Sequence, residues 1–243
     1  MNDFIQRQTH ADVNMPLRAL KARKIEILLG LDCPGGHGTL LEVGTGSGGI
    51  ADYFARQASR PWIVTAVDVV DNRQRKDGYD FHLLDGCALP FPDHSFDVVI
   101  SNHVIEHVGD QSSQLLHLRE LKRVMKPGGR GYLAVPNRWM LVEPHYRVPL
   151  LSWLPRQWRS PYLRLLRRGA EYDCEPLPMG EVERLLKASE LGYANICLQA
   201  LRTTLSLERP ALPLIRWLSA LPDALLKPCL PIMPTLIYRL EVR

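Results

Sequence analysis

Residues 39–52, TLLEVGTGSGGIAD, pass from an apolar segment through four glycines into a helix-forming segment that continues to residue 57. A short apolar run that ends on glycine reads as a buried strand. Glycines at a strand-to-helix turn let the backbone approach a ligand closely. The free N–H groups and the dipole of the following helix favour a negative group there. One strand later, in WIVTAVDV (62–69), Asp68 stands 24 residues beyond Gly44, where a carboxylate can accept both hydroxyls of a ribose. Strand, glycine turn, helix, strand and acid in this order point to a nucleotide-type cofactor on an α/β sheet.

The pattern extends outward from that turn. Tyr79–Leu84, Phe96–Ser101 and Gly131–Val135 are further short apolar, strand-like runs. Leu17–Leu29 reads as a helix with Pro16 in its first turn, and Leu17, Leu20, Ile25, Leu28 and Leu29 lie near helical spacing. Gln111–Met125 carries Leu115, Leu118, Leu121 and Met125 on one stripe, and Pro127-Gly128-Gly129 stops it. Such alternation gives right-handed βαβ units and a parallel sheet. Beyond Pro136 the regularity lapses until a helix at about 180–191, a strand-like Ala194–Leu201 and a closing strand at Leu236–Val242.

The 243 residues are 46% hydrophobic and 23% charged, a globular composition long enough to bury a full core. Cys33, Cys87, Cys174, Cys197 and Cys229 are scattered and never form a C-x-x-C pair. That argues against a zinc site or a disulfide framework and fits a reducing compartment. The polar first residues do not read as a signal peptide, and no apolar run is long enough to span a bilayer. A cytoplasmic protein is expected. A formal charge of +4 with no recognisable nucleic-acid module makes nucleic acid an unsuitable partner.

Gly44, Gly46 and Gly49 also satisfy G-x-G-x-x-G, so the glycines leave a dinucleotide-binding NAD(P) oxidoreductase open. The longer stretches narrow the field. LEVGTGSG (41–48), VDVVD (67–71), DGCALPFPDHSFDVVISNHVIEHV (85–108) and LKRVMKPGGRGYLAVPN (121–137) follow in order. Over residues 38–137 the chain resembles class I S-adenosylmethionine-dependent methyltransferases, in particular the type 11 small-molecule branch. The resemblance implies a single doubly wound, Rossmann-like domain over residues 1–243. Its seven-stranded sheet would have an antiparallel last strand, and helical inserts would cap the active-site edge. It implies that Glu42, Gly44, Thr45, Gly46 and Gly48 hold the methionyl part of S-adenosyl-L-methionine. Asp68 would take the ribose hydroxyls and Val69 would lie beside the adenine. Asp85, Gly86 and Cys87 would meet the adenine edge, with Ala88 and Leu89 packed on the ring. Asn102 falls at the end of the fourth strand, in the ligand-binding crevice. The implied reaction is methyl transfer to a small-molecule or lipid- or glycan-linked acceptor, at oxygen. A catalytically inactive S-adenosylmethionine-binding regulatory protein is a second alternative.

A hydroxyl acceptor benefits from a base, and imidazole is the commonest one. His103 and His107 in NHVIEHV, and His145 in EPHY, are the candidates. His103, Glu106 and His107 lack the H-E-x-x-H arrangement, and no metal is expected. Residues 138–180 and 200–235 are inserts the core fold does not need, the first basic and aromatic, the second apolar and proline-rich. Residues 138–168 hold seven arginines against one acid, Glu143, together with Trp139, Tyr146, Trp153, Trp158 and Tyr162. They read as a cover for the pocket, as a peripheral contact with anionic lipid, or as a site for an anionic acceptor. PNRW, EPHY and LSWLPR within this stretch resemble bacterial type 11 methyltransferases of glycan-related role, which implies an anionic or lipid-linked acceptor.

Overall fold

The computed structural model describes residues 14–32, 38–143, 146–172, 174–208 and 221–242. Helix α1 (Met15–Leu29) starts at Asn14, whose side chain accepts the Leu17 amide, and ends at Gly30 in the left-handed conformation. Strand β1 (Gly38–Val43) follows, then α2 (Gly49–Arg56), β2 (Trp62–Asp68), β3 (Asp80–Leu83), β4 (Phe96–Asn102), α3 (Gln111–Val124) and β5 (Met125–Pro136). After a two-stranded hairpin, β6 (Val142–Glu143) and β7 (Val148–Pro149), come α4 (Arg156–Leu165), α5 (Met179–Ala188), β8 (Gly192–Asn195), α6 (Cys197–Glu208) and β9 (Thr235–Glu241).

The main sheet has seven strands in the order β3-β2-β1-β4-β5-β9-β8. β1 pairs in parallel with β2 and β4, and β9 runs antiparallel to both β5 and β8. This is the doubly wound mixed sheet that the sequence implied. The fully buried Leu40, Leu41, Ile100 and Leu133 come from its central strands, as a sheet covered on both faces requires. Strand order reverses between β2-β1 and β4, so a crevice opens at the carboxyl ends of β1 and β4.

Two local expectations change. In α1, Leu17 and Leu20 are exposed, and the buried face carries Arg18, Ala22, Ile25, Glu26 and Leu29 instead. Glu26 can be buried because Tyr53, Arg23 and the Ser59 amide all donate to its carboxylate at 2.6 Å. The strand expected at Ala194–Leu201 ends at Asn195, and the chain turns into α6 at Cys197. Asn195 Oδ1 accepts the Cys197 amide at 3.1 Å, a side-chain turn that competes with the strand ladder. The buried Ile196, Cys197, Ala200 and Thr203 follow helical spacing.

Residues 138–178 form an excursion from the end of β5. Asn137 bridges Leu177, and the Arg138 amide donates to the Leu177 carbonyl at 3.2 Å, so its two ends meet. It has a small core of its own in Tyr146, Val148, Leu151 and Leu163. The Glu175 amide donates to the Glu106 carbonyl at 3.0 Å and ties the excursion to the turn after β4.

Candidate active site

The glycine turn is folded back on the end of β2. The amides of Gly44 and Thr45 donate to the Val67 carbonyl at 2.9 and 3.2 Å, and the Thr45 hydroxyl donates to the same oxygen at 3.1 Å. The Gly46 amide donates to Asp68 Oδ2 at 2.8 Å. Gly44 has φ of 78° and Gly48 of 82°. A Cβ on Gly44 would run into Val104 Cγ2, and one on Gly48 into the Tyr79 hydroxyl and the Arg75 carbonyl. Both conformation and close approach therefore demand glycine. Asp68 Oδ1 accepts the Val69 amide at 2.7 Å and the Val70 amide at 3.4 Å, while Oδ2, with the Gly46 amide as its one donor among the described residues, keeps a further lone pair for a hydroxyl.

Glu42 is 1% exposed beneath this turn. Its Oε2 accepts the Ala51 amide in the first turn of α2 at 3.0 Å, and Oε1 has no hydrogen-bond partner among the described residues. Burial pushes its carboxyl up to about 8, against the opposing pull of the Arg18 charge and the Ala51 amide. Arg18 reaches across from α1 and donates to the Thr45 carbonyl at 3.2 Å.

The loop after β3 is held to the same edge, because the Leu84 amide donates to the Asp68 carbonyl at 2.8 Å. Asp85 and Gly86 are exposed on it, Cys87 is half-buried and Val69 is exposed nearby in sequence to Asp68. Leu89, expected against an adenine ring, is buried in the core. Its amide donates to Glu120 and its carbonyl accepts from Arg123, so it anchors the loop.

On the other side of the crevice, Asn102 is the last residue of β4 and is nearly buried. His103 has φ of 59°, a conformation uncommon for a residue with a Cβ, and its amide donates to the Ala134 carbonyl at 2.9 Å. His103 Nδ1 lies 3.5 Å and His107 Nε2 3.9 Å from Glu106 Oε1. Glu106 is 1% exposed. Burial pushes its carboxyl up, but the pairing with His103 and the charges of His103 and His107 outweigh this and hold it below the ordinary glutamate value. Behind them, His117 is buried with its Nε2 3.0 Å from Ser101 Oγ, and burial pushes it down to about 4. Val104 packs on Gly44, so the turn carrying His103 touches the glycine turn. His145 lies outside the described residues.

Residues 41–133 match the family model described as a methyltransferase domain. The chain is 33% identical over 141 residues to a protein of Mycolicibacterium smegmatis named a probable S-adenosylmethionine-dependent methyltransferase, covering 56% of this chain and 52% of that one. It is 31% identical over 156 residues to a ubiquinone biosynthesis O-methyltransferase of Parvibaculum lavamentivorans, covering 63% and 58%. The chain thus spans little more than half the length of these curated relatives. In fold it is similar to a solved phosphoethanolamine N-methyltransferase 2 of Haemonchus contortus, with a TM-score of 0.54, 16% identity, and 91% of this chain against 52% of that one.

Within residues 41–133 the chain thus matches a methyltransferase domain, and the curated relatives it resembles are named S-adenosylmethionine-dependent methyltransferases.

The first-turn amide of α2 is already taken by Glu42, where a dinucleotide-binding fold seats a pyrophosphate. No finding supports the nicotinamide alternative. Glu106 entered the sequence reading only as a possible metal ligand, yet it lies between two of the candidate bases. Arg18 was missed. Its signal was a charged residue at helical spacing from Ala22, Ile25 and Leu29.

A surface cleft of about 340 Å³ lies at the opposite, amino ends of β2 and β4, lined among others by Trp62, Asp97, Lys126 and Arg130. Asp97 pairs with Lys126 at 2.9 Å, and Arg130 donates to the Leu29 and Gly30 carbonyls. Its Asp97 and Lys126 charges are thus met within the protein.

Proposed function

We propose that this chain is an enzyme that transfers a methyl group from S-adenosyl-L-methionine to an oxygen of a small-molecule or lipid- or glycan-linked acceptor. The observation that carries this reading is the union of the Gly46 amide with Asp68 at the reversal of strand order, beside His103 and Glu106. The cofactor fits the residues present. The turn leaves no room for a Cβ at Gly44, and Glu42 Oε1 is a buried acceptor awaiting a donor. In this reading Glu42, Gly44, Thr45, Gly46 and Gly48 would hold the methionyl part and Asp68 the ribose diol. Val69, Asp85, Gly86 and Cys87 would meet the adenine, and Asn102 would line the crevice.

When bound, this cofactor supplies a methyl group already activated on a positively charged sulfur. The protein's main task is then to align acceptor and donor about 3 to 3.5 Å apart. His103 takes the acceptor's proton, and Glu106 steadies the imidazole and the positive charge it gains. Oxygen is favoured because a hydroxyl needs such a base; the relative with an O-methyltransferase name is consistent with it. In this reading the described parts of 138–180 and 200–235 serve as covers over this edge; residues 144, 145, 173 and 209–220 lie outside the described residues.

The cover over residues 138–168 also supports a peripheral membrane contact. Trp139, Trp153, Trp158 and Leu165 are exposed there among exposed Arg147, Arg156, Arg164, Arg167 and Arg168. Among the described residues no helix is long and apolar enough to cross a membrane.

The test is transfer of labelled methyl from S-adenosyl-L-methionine into lipid and polar fractions of a cell extract. Label enters one fraction with the wild-type protein and fails to enter with Asp68→Ala. Wild-type protein that binds S-adenosylhomocysteine but labels neither fraction would instead be a regulatory binder.

A further inference from the structure

Arg159 lies on α4 inside the excursion after β5 and is 3% exposed. A buried guanidinium presents five N–H donors and must find acceptors or neutralising charge. Its Nε donates to the Leu154 carbonyl at 3.0 Å and its Nη2 to the Ser152 carbonyl at 3.4 Å. Nη1 is 3.8 Å from Glu175 Oε2 and makes no hydrogen bond among the described residues. The guanidinium stands 5.5 Å from the centre of the Tyr172 ring.

Its two neighbours share the same deficit. The Tyr172 hydroxyl and the Ser152 hydroxyl are both buried and have no hydrogen-bond partner among the described residues. Arg138 Nε, in the strand-to-excursion connection, is a fourth such atom. All four can donate. The adjacent carboxylates are shared: Glu175 pairs through Oε1 with Arg156 at 2.9 Å as well as through Oε2 with Arg159 at 3.8 Å, and Glu143 Oε2 accepts the Tyr146 amide at 2.7 Å. Arg138 and Arg156 both bear on Arg159 as like charges. Among the described residues three guanidiniums thus face two carboxylates. A buried donor left unmade is costly, so three of them, on Arg159 and on two residues it contacts, call for an acceptor.

We propose that Arg159, Tyr172 and Ser152, together with Arg138, form a subsite for a phosphoryl group that anchors the methyl acceptor. A tetrahedral oxyanion has several free oxygens, accepts from donors on different residues at once and neutralises the surplus guanidinium charge. A planar carboxylate offers two oxygens and one charge. The subsite is coupled to the methyl-transfer site by the Glu175 amide, which bonds the Glu106 carbonyl in the turn after His103. Its role as an acceptor anchor rests on the methyl-transfer reading above; its affinity for phosphate does not.

The test is a titration of the full chain with inorganic phosphate, with acetate at equal ionic strength as control. A parallel arm uses phosphatidylcholine vesicles with and without phosphatidic acid. Saturable phosphate binding, weakened at least about tenfold by Tyr172→Phe and by Arg138→Gln, supports the subsite. Binding to phosphatidic acid vesicles, without free-phosphate binding but lost in the same variants, supports it with a lipid-borne headgroup. Melting curves of both variants, and of Ser152→Ala as a third, exclude loss of fold. Equal effects of acetate and phosphate, or binding unchanged in all the variants, overturn the subsite. S-adenosylhomocysteine is titrated into the same sample: if it binds while neither free phosphate nor the phosphatidic acid vesicles do, the subsite alone fails. If it does not bind, the methyl-transfer reading fails and the phosphate result stands by itself.

Discussion

The Gly46 amide donates to Asp68 Oδ2 at 2.8 Å, joining the turn after β1 to the last residue of β2. One carboxylate therefore shapes the turn and faces the crevice. Loss of the Asp68 side chain is expected to loosen the turn as well as remove a ribose partner.

The packing of Val104 on Gly44 gives a prediction about stability. Gly44→Ala places a methyl group at a φ of 78° and into Val104 Cγ2. The expected loss is roughly 2 to 4 kcal/mol from backbone strain and overpacking together. Val104→Ala in the same chain should recover the overpacking part and leave the strain. A denaturant titration of the two single variants and the double variant measures the split; strictly additive losses would show that the two residues do not meet.

Stability should fall on both sides of a middle pH, for two different reasons. Glu42, pushed up to about 8, gives a contribution that is full below its ordinary value of 4.5 and lost as pH rises through about 8. His117, pushed down to about 4, gives one that is present above its ordinary 6.5 and lost as pH falls towards 4. Glu42→Gln should flatten the alkaline limb of a melting-temperature profile, and His117→Gln the acid limb. An alkaline limb as steep in Glu42→Gln as in the wild type would place the titrating group elsewhere.

For catalysis, His103→Asn tolerates the left-handed backbone and removes the base. The rate of labelled methyl transfer should fall by about 10² to 10⁴, with S-adenosylhomocysteine affinity unchanged. Glu106→Gln should act through His103, changing the pH profile of the rate more than the affinity for cofactor. A His103→Asn variant of full rate would transfer the role to His107 or to the acceptor's own acidity.

The membrane contact is tested by flotation with anionic vesicles. Wild-type protein should float, and an Arg156/Arg164/Arg167/Arg168→Ala variant should remain behind. Arg159 is left in place because it is buried and belongs to the proposed phosphoryl subsite, which has its own test. Equal recovery of the two proteins would remove the lipid contact.

The sheet was legible because buried parallel strands are apolar runs with glycine turns between them, as in TLLEVG and FDVVIS. The end of β8 was not, since Ile196–Leu201 is an apolar run too short for periodicity to separate strand from helix. Asn195, a side-chain cap, was the available signal. The glycine turn and Asp68 were readable from order and spacing. Arg159 was not: among seven arginines in 138–168 nothing local marks the one that is buried, because its burial comes with tertiary contacts such as the Tyr172 ring. The pairing of His103 with Glu106 depends on a positive φ that the residue type disfavours, so spacing alone does not reveal it.

The most direct test of the central claim is calorimetric titration with S-adenosylhomocysteine and, separately, with NADH. The account predicts one-site binding of S-adenosylhomocysteine, weakened about tenfold to a hundredfold by Asp68→Ala and abolished by Gly46→Arg, with no NADH binding. NADH binding, or S-adenosylhomocysteine affinity indifferent to both substitutions, would contradict it.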